Sequence, residues 1–383
     1  MSTPLRIGLD LSCTAETPLT GIGYAALHQI NALSEQDCDL RIFAAGGADA
    51  RELIQGQFPN FTRKRVFARA RLAKYYAWTR LQWPPMEWFC GPIDIAHNLC
   101  HALPATSHAK RIVTVHDLSV FRHPETHTPR TVEVQSTLLR QAIAHADHLI
   151  AVSEFTKQEL VDVLDAKPDS ITVVPNGVNV EEFQADIDED ALAQLRTKLS
   201  LNERYFMYLG SIEPRKNVIR LVEAYATLRD QIADCPKLLI AGNPAWGSAP
   251  ILEAIKHHTK NEDIIQAGYL DRADVIALLR NAIACVYPSL YEGFGLPVLE
   301  AMAAETPVIA SDTPAIAEVA NGTAMLVPPD DTDALAEAMQ EVIEQPSTDH
   351  ITKGLDRARE LTWDKSAENL AACYQHIANH GIM

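Results

Sequence analysis

The sequence predicts an α/β protein of two doubly wound, Rossmann-like domains, and three observations carry that prediction. The chain has 383 residues, too many for one ordinary core and suited to two. Short apolar runs alternate along it with longer helical patterns, as parallel sheets with helical crossovers require. Three times, at 5–24, 205–218 and 284–297, such a run passes into a loop and then a helix. Doubly wound folds use that arrangement to bring backbone amides up to a phosphate.

Composition narrows the function classes. Hydrophobic residues make up 47% and charged residues 22%, an ordinary globular balance. No run of about 18 apolar residues occurs, so no membrane span is expected. Met1–Arg6 leads straight into a strand-like run without the apolar stretch of a signal peptide. The seven cysteines form no CxxC pair, which fits reduced thiols and a cytoplasmic setting. A net charge of −17 argues against general nucleic-acid binding and makes any basic stretch stand out.

Leu5–Leu11 reads as the first buried strand, followed by Gly21-x-Gly23 and a helix to about Leu33. That glycine pair falls short of a full G-x-G-x-x-G and suits a plain tight turn equally well. Asp39–Ala45 gives a second strand. Phe61–Arg80 then interleaves Arg63, Lys64, Arg65, Arg69, Arg71, Lys74 and Arg80 with Phe67, Tyr75, Tyr76 and Trp78. It reads either as a solvated helix with a few core aromatics or as a surface for anionic lipid or a lipid-linked acceptor. Ile93–His97 and Arg111–Val115 are short parallel strands. The second delivers His116 at a carboxyl end, where open α/β sheets bind ligands. His97-x3-His101 and His123-x3-His127 have a zinc-like spacing without the H-E-x-x-H order, and Pro124 interrupts the second pair, so no metal is expected. Thr131–Ala146 is helical, His148–Val152 a strand, and Ser153 caps a helix over Glu154–Leu164. Ile171–Pro175 is a strand, and the acidic Glu181–Asp190 stretch reads as a linker.

The second half opens with a strand at Tyr205–Leu209, then Gly210-Ser211 and an adjacent Arg215-Lys216 pair. Amides, a forked guanidinium and a mobile ammonium together suit a diphosphate. Leu238–Ala241, Asp263–Ala267, Ala284–Tyr287 and Pro307–Ala310 are further strands. Pro297 suits a helix's first turn, Gly293 and Gly295 free the loop before it, and the helix start offers amides to an anion. Glu292 and Glu300 bracket that start. Carboxylates beside an anion site fit a phosphate ester that carries hydroxyls, since they accept bonds from vicinal OH groups. Thr332–Glu344, Thr348–Arg359 and an amphipathic stretch from Trp363 to about Ile377 are helical.

Glu292 to Glu300 resembles the E-x7-E signature, in its EGFGLPxLEA form, of the retaining family 4 glycosyltransferases with the GT-B fold. Arg215-Lys216-Asn217, His116 and the Val173-x-Pro175-Asn176-Gly177-Val178-Asn179 passage match further motifs of that family. The resemblance implies two Rossmann-like domains facing across a cleft, with a C-terminal helix crossing back to the first. Residues 1–182 with 364–383 would bind the acceptor, and residues 183–363 the nucleotide sugar. It also implies a transfer that needs no cofactor and no metal, because cations in the chain supply the charge at the diphosphate. His116, Arg215, Lys216 and Glu292 would be catalytic. Gly21, Gly23, Ser211, Arg215, Lys216, Tyr269, Leu270, Phe294, Gly295, Leu296 and Glu300 would bind the donor, with Glu292 on the sugar hydroxyls and Glu300 on the ribose diol.

The His116-Asp-Leu passage and Trp363-x-Lys-x-Ala367 resemble bacterial mannosyltransferases of surface-polysaccharide assembly, which implies GDP-mannose as donor and a sugar or polyprenyl-diphosphate-linked acceptor. A sugar-nucleotide 2-epimerase of the same fold, or a transferase using UDP-glucose or UDP-N-acetylglucosamine, is the alternative. Peripheral attachment to the inner face of the membrane through Arg63, Lys64, Arg65, Arg69 and Arg71 follows from the basic run. Replacing Arg215 or Lys216 is expected to cost activity and leave folding unaffected.

Overall fold

A computed structural model describes residues 4–15, 19–45, 64–67, 77–201, 204–345 and 348–380. The chain divides into two compact units. One comprises Met1–Phe121, Pro129–Gly177 and Trp363–Met383; the other comprises Arg122–Thr128 and Val178–Thr362.

The first unit holds a parallel sheet of strands β1 (Leu5–Asp10), β2 (Cys38–Ala45), β3 (Lys64–Phe67), β4 (Ile95–Asn98), β5 (Lys110–Val115), β6 (His148–Ala151) and β7 (Ile171–Val173), in the order β3-β2-β1-β4-β5-β6-β7. Ile7, Leu9, Ile95, Ile112, Val113 and Val115 are buried, as a sheet covered by helices on both faces demands. The second unit repeats the plan with β8 (Tyr205–Leu209), β9 (Lys237–Ala241), β10 (Ile264–Gly268), β11 (Ala284–Tyr287), β12 (Val308–Ser311) and β13 (Met325–Val327), ordered β10-β9-β8-β11-β12-β13. The order reverses between β1 and β4 in one sheet and between β8 and β11 in the other. Open α/β sheets bind ligands beyond the carboxyl ends of the strands at such a reversal.

The last helix, Trp363–His380, belongs to the first unit and packs on the small-residue helix Gly21–Leu33. Its polar anchors are specific. Tyr374 Oη and Thr114 Oγ1 meet the two ring nitrogens of buried His97 at 2.6 and 2.8 Å. Ser366 donates to the Pro175 carbonyl at 2.6 Å and accepts from Gln29 at 3.1 Å. With both nitrogens engaged, His97 is a structural strut.

Two readings of the sequence are corrected here. Within the basic run, Lys64–Phe67 is a strand, pairing parallel with Ile42–Ala45 at the sheet edge, where a helix was one of the readings. A four-residue edge strand needs backbone partners on one side only, and charged residues protect such an edge from further pairing. Arg63, Arg69 and Arg71 lie outside the described residues. The acidic Glu181–Asp190 stretch, read as the linker, lies inside the second unit, whose long segment begins at Val178. It enters two helices, Val180–Gln184 and Glu189–Lys198, capped by Asn179 and Asp188, whose side chains take orphan amides of the first turns.

Candidate functional site

The reversal in the second sheet brings together the loops after β8 and β11, which carry Ser211, Arg215, Lys216, Glu292, Phe294 and Gly295. After β8, Gly210 and Ser211 lead into a turn over Pro214–Lys216. The Ser211 carbonyl accepts from Tyr208 Oη at 2.7 Å. The neighbouring loop after β9 pins this backbone: Gly210 N–H donates to the Ala241 carbonyl at 3.0 Å and Ile212 N–H to the Asn243 carbonyl at 2.9 Å. A Cβ on Gly242 would sit 1.8 Å from the Gly210 carbonyl oxygen, so only glycine fits there. After β11, the loop ends on Gly295 at φ +105, which opens the helix Leu296–Ala303 with Pro297 in its first turn.

Arg215, Lys216 and Glu292 form one cluster. Lys216 Nζ donates to Glu292 Oε1 at 2.6 Å and to Tyr287 Oη at 2.7 Å. Arg215 Nη1 donates to Glu292 Oε2 at 3.0 Å and to the Tyr291 carbonyl at 2.9 Å, while its Nη2 reaches Glu213 at 2.9 Å. Tyr287 Oη donates to Glu292 Oε1 at 2.9 Å. Lys216 is 8% exposed and Glu292 7%. Burial alone would push the Glu292 carboxyl up, but Lys216 and Arg215 outweigh it and hold it at about 2. Burial and the neighbouring Arg215 push Lys216 down against the pull of Glu292. Two cations thus share one buried carboxylate, and Glu213 brings the four-residue cluster to neutrality.

A carboxyl depressed in this way adds stability above its ordinary 4.5 and loses it as pH falls toward about 2. Urea unfolding followed down through that window should show a steeper acid loss for wild type than for Glu292→Gln. Parallel curves would mean the cluster is not ionised as drawn.

Glu300, 6% exposed, sits one turn into the helix and pairs with Arg272 at 2.6 Å. Phe294 is buried, Leu296 half-buried and Gly295 buried at the helix start. Leu270 is half-buried and Tyr269 56% exposed beyond the carboxyl end of β10. All of these belong to the second unit. His123 does too: it reaches this unit within the excursion Arg122–Thr128, its ring 5.4 Å from that of Tyr291.

The remaining candidates belong to the first unit. Gly21 and Gly23 form the first turn of a helix capped by Thr20, whose Oγ1 accepts from Gly23 N–H at 3.2 Å. Space around Gly21 is open, whereas a Cβ on Gly23 would press on the Cys13 carbonyl at 3.1 Å. His116 follows β5. Its Nε2 lies 2.8 Å from the Leu99 carbonyl, which can only accept, so Nε2 carries the proton and Nδ1 is the acceptor. Burial lowers its pKa, favouring that neutral form at pH 7. The His101 ring lies 5.8 Å away. Among the described residues no group of three or more His, Cys, Asp or Glu side chains gathers to hold a metal.

Sequence reasoning missed Glu213, Tyr287, Arg272 and Glu182. Tyr287 closes a strand that was recognised, and Glu213 stands two residues before Arg215, so both carried a local signal. Arg272 carried none.

Residues 193–356 match the family described as Glycosyl transferases group 1, and residues 19–182 the family described as Glycosyltransferase Family 4. The chain is 24% identical to O-antigen chain mannosyltransferase B of Escherichia coli over 377 residues, 94% of this chain and 96% of that one. It is 31% identical to D-inositol 3-phosphate glycosyltransferase of Salinispora tropica over 263 residues, 63% of this chain and 53% of that one. Among solved structures, sucrose-phosphate synthase of Thermosynechococcus elongatus superposes with a TM-score of 0.76 at 21% identity, over 97% of this chain and 99% of that one. Two family matches that together span most of the chain, on two doubly wound sheets, place it: the chain belongs to the family 4 glycosyltransferases and has the GT-B fold.

Proposed function

We propose that the protein transfers mannose from GDP-mannose to a hydroxyl of a lipid-linked or oligosaccharide acceptor, with retention of configuration and without a metal ion. The observation that carries this is the Arg215–Lys216–Glu292 cluster at the strand-order reversal of the second sheet. The likeness to an O-antigen mannosyltransferase along nearly the whole chain supports mannose.

In this reading the bond between the anomeric carbon and the diphosphate oxygen breaks while the acceptor oxygen bonds to that carbon on the same face. The departing diphosphate takes the acceptor's proton. Arg215 and Lys216 meet its growing charge, as fixed cations in a water-poor site do. Glu292 orients the sugar hydroxyls and Glu300 the ribose diol. Amides near Ser211 and the helix start at Leu296 complete the donor site of the second unit, with Tyr269 and Leu270 beside the base.

The likeness to an inositol-phosphate glycosyltransferase favours a second reading, a different nucleotide sugar on the same site. Thermal stabilisation across GDP- and UDP-sugars at equal concentration ranks the donors, since the tighter ligand stabilises more. Product analysis with and without acceptor, in excess EDTA, follows. We expect GDP-mannose to stabilise most and transfer to persist in EDTA. A C2 epimer formed without acceptor would make the protein an epimerase. Full loss in EDTA, restored by one divalent ion, would overturn the metal-free mechanism.

Contact with an anionic membrane face completes the proposal. Leu81, Trp83 and Trp88 are 71%, 53% and 63% exposed, and the two indoles pack edge to face at 5.3 Å. Buried Trp78 stacks on Phe43 at 5.3 Å beneath this segment. Exposed indoles beside a basic run suit a bilayer interface, where each Lys or Arg adds about 1 kcal/mol. Wild type should float with anionic vesicles at low salt and less at high salt, and the Arg63, Lys64, Arg65, Arg69, Arg71→Ser variant should not float. Equal flotation of the two would remove the basic run from the account.

A further inference from the structure

Glu300 stands in an environment that works against an ionised carboxyl. It is buried, and Glu182 faces it. Arg272 offsets only part of this, so the carboxyl stays above its ordinary value, and the way Arg272 itself is held is the informative part. Its Nε and Nη2 lie 3.2 and 3.1 Å from the two oxygens of Glu182. The guanidinium carbon lies 4.6 Å from the centre of the Phe183 ring. The remaining nitrogen, Nη1, donates to Glu300 Oε1 at 2.6 Å. Forked on the Glu182 carboxylate and set over the Phe183 ring, the guanidinium directs Nη1 at Glu300. A lysine could not reproduce that arrangement. Arg272 is also the first residue of the helix Arg272–Arg280, where a cation opposes the helix dipole. A local rule broken beside a candidate site suggests a task for the residue.

We propose that Arg272 is a positioning residue of the nucleotide site, fixing the Glu300 carboxylate as the acceptor for the vicinal hydroxyls of ribose. The inference rests on the reading that Glu300 takes the ribose. The ion pair occupies one of the carboxylate's roughly four acceptor positions, which leaves room for two hydroxyl donors.

The groups facing Glu300 are Arg272 from its helix, Glu182 from Val180–Gln184 and the Cys285 thiol on β11. Burial pushes the Glu300 carboxyl up, Arg272 pulls it down and Glu182 pushes it up again. Without Arg272 every remaining influence favours the protonated form, which is a poorer acceptor. Affinity for a nucleoside diphosphate should then rise with pH in the variant more than in wild type. The nucleotide's own phosphate titration affects both proteins alike.

The test is calorimetric titration of GDP and UDP, and of their 2′,3′-dideoxy analogues, into wild type, Arg272→Met and Arg272→Lys between about pH 6 and 9. Wild type should bind the diol form more tightly than the dideoxy form. Arg272→Met should bind the diol form on the order of tenfold more weakly near neutrality, with little preference over the dideoxy form, and recover as pH rises. Arg272→Lys should keep the wild-type pH behaviour with weaker discrimination. Unchanged binding in Arg272→Met would overturn the proposal, and tighter binding would make Arg272 a plug that the ribose displaces. If Arg272→Met does not fold, Arg272→Lys decides: wild-type discrimination there overturns the role of the fork. Equal binding of diol and dideoxy forms by wild type would instead sink the ribose reading itself.

Discussion

Lys216→Ala is expected to lower glycosyl transfer by on the order of 10² or more and to destabilise the protein by about 3–5 kcal/mol. The two effects have one origin. Lys216 Nζ is buried against Glu292 and Tyr287, so its removal takes a cation from the diphosphate site and leaves a carboxylate buried with only Arg215 to neutralise it. This corrects the expectation from sequence that folding would be unaffected. Lys216 is only 8% exposed, and its burial against a carboxylate is what ties it to stability. Arg215→Ala should cost comparable activity and less stability, since Lys216 keeps the shorter contact to Glu292. Kinetics measured well below each variant's unfolding transition separate the terms. Wild-type kcat/KM in folded Lys216→Ala would remove the residue from the mechanism.

Glu292→Gln should pull turnover and nucleotide affinity in opposite directions. Turnover should fall on the order of 10², because an amide cannot supply a charged acceptor where the sugar hydroxyls are oriented. Affinity for the free nucleoside diphosphate should rise on the order of tenfold, about 1.4 kcal/mol. In the free protein Arg215 and Lys216 balance Glu213 and Glu292. An incoming diphosphate must compete with Glu292 for both cations. Neutralising that carboxylate leaves the cluster with one net positive charge, Lys216 without a carboxylate partner in the cluster, and Glu213 on Arg215 as the remaining rival for the anion. Calorimetry with the diphosphate alone reads this directly. Weaker binding in Glu292→Gln would mean that Glu292 itself holds the nucleotide and that its role and that of Glu300 are exchanged.

What could be read in advance was what lies close in sequence. The central strands are short, mostly apolar runs bounded by turns, including the aromatic-rich Tyr205–Leu209, and burial on both faces leaves such runs little alternative. Gly295, Pro297, Glu292 and Glu300 fall within one strand–loop–helix passage, so local geometry alone assembles them. The pairings were not legible. Lys216 and Glu292 are 76 residues apart, and Arg272 and Glu182 are 90 apart. They meet only because β8 and β11 are neighbours and because Arg272, at the start of its helix, reaches both Glu300 and Glu182. Residue types in a loop do not reveal that strand order. The edge strand Lys64–Phe67 was missed for a related reason: four residues of a basic run show no alternation, and the pairing with β2 decides their conformation.

In the proposed reaction Arg215 and Lys216 receive the donor diphosphate at the strand-order reversal of the second sheet. A crystal structure of the protein with GDP or UDP bound tests it most directly. The predicted result puts phosphate oxygens within hydrogen-bond distance of Arg215 and Lys216, the Lys216–Glu292 contact longer than its present 2.6 Å, and the ribose diol on Glu300. A nucleotide bound elsewhere, with Glu292 still holding both cations, would contradict it.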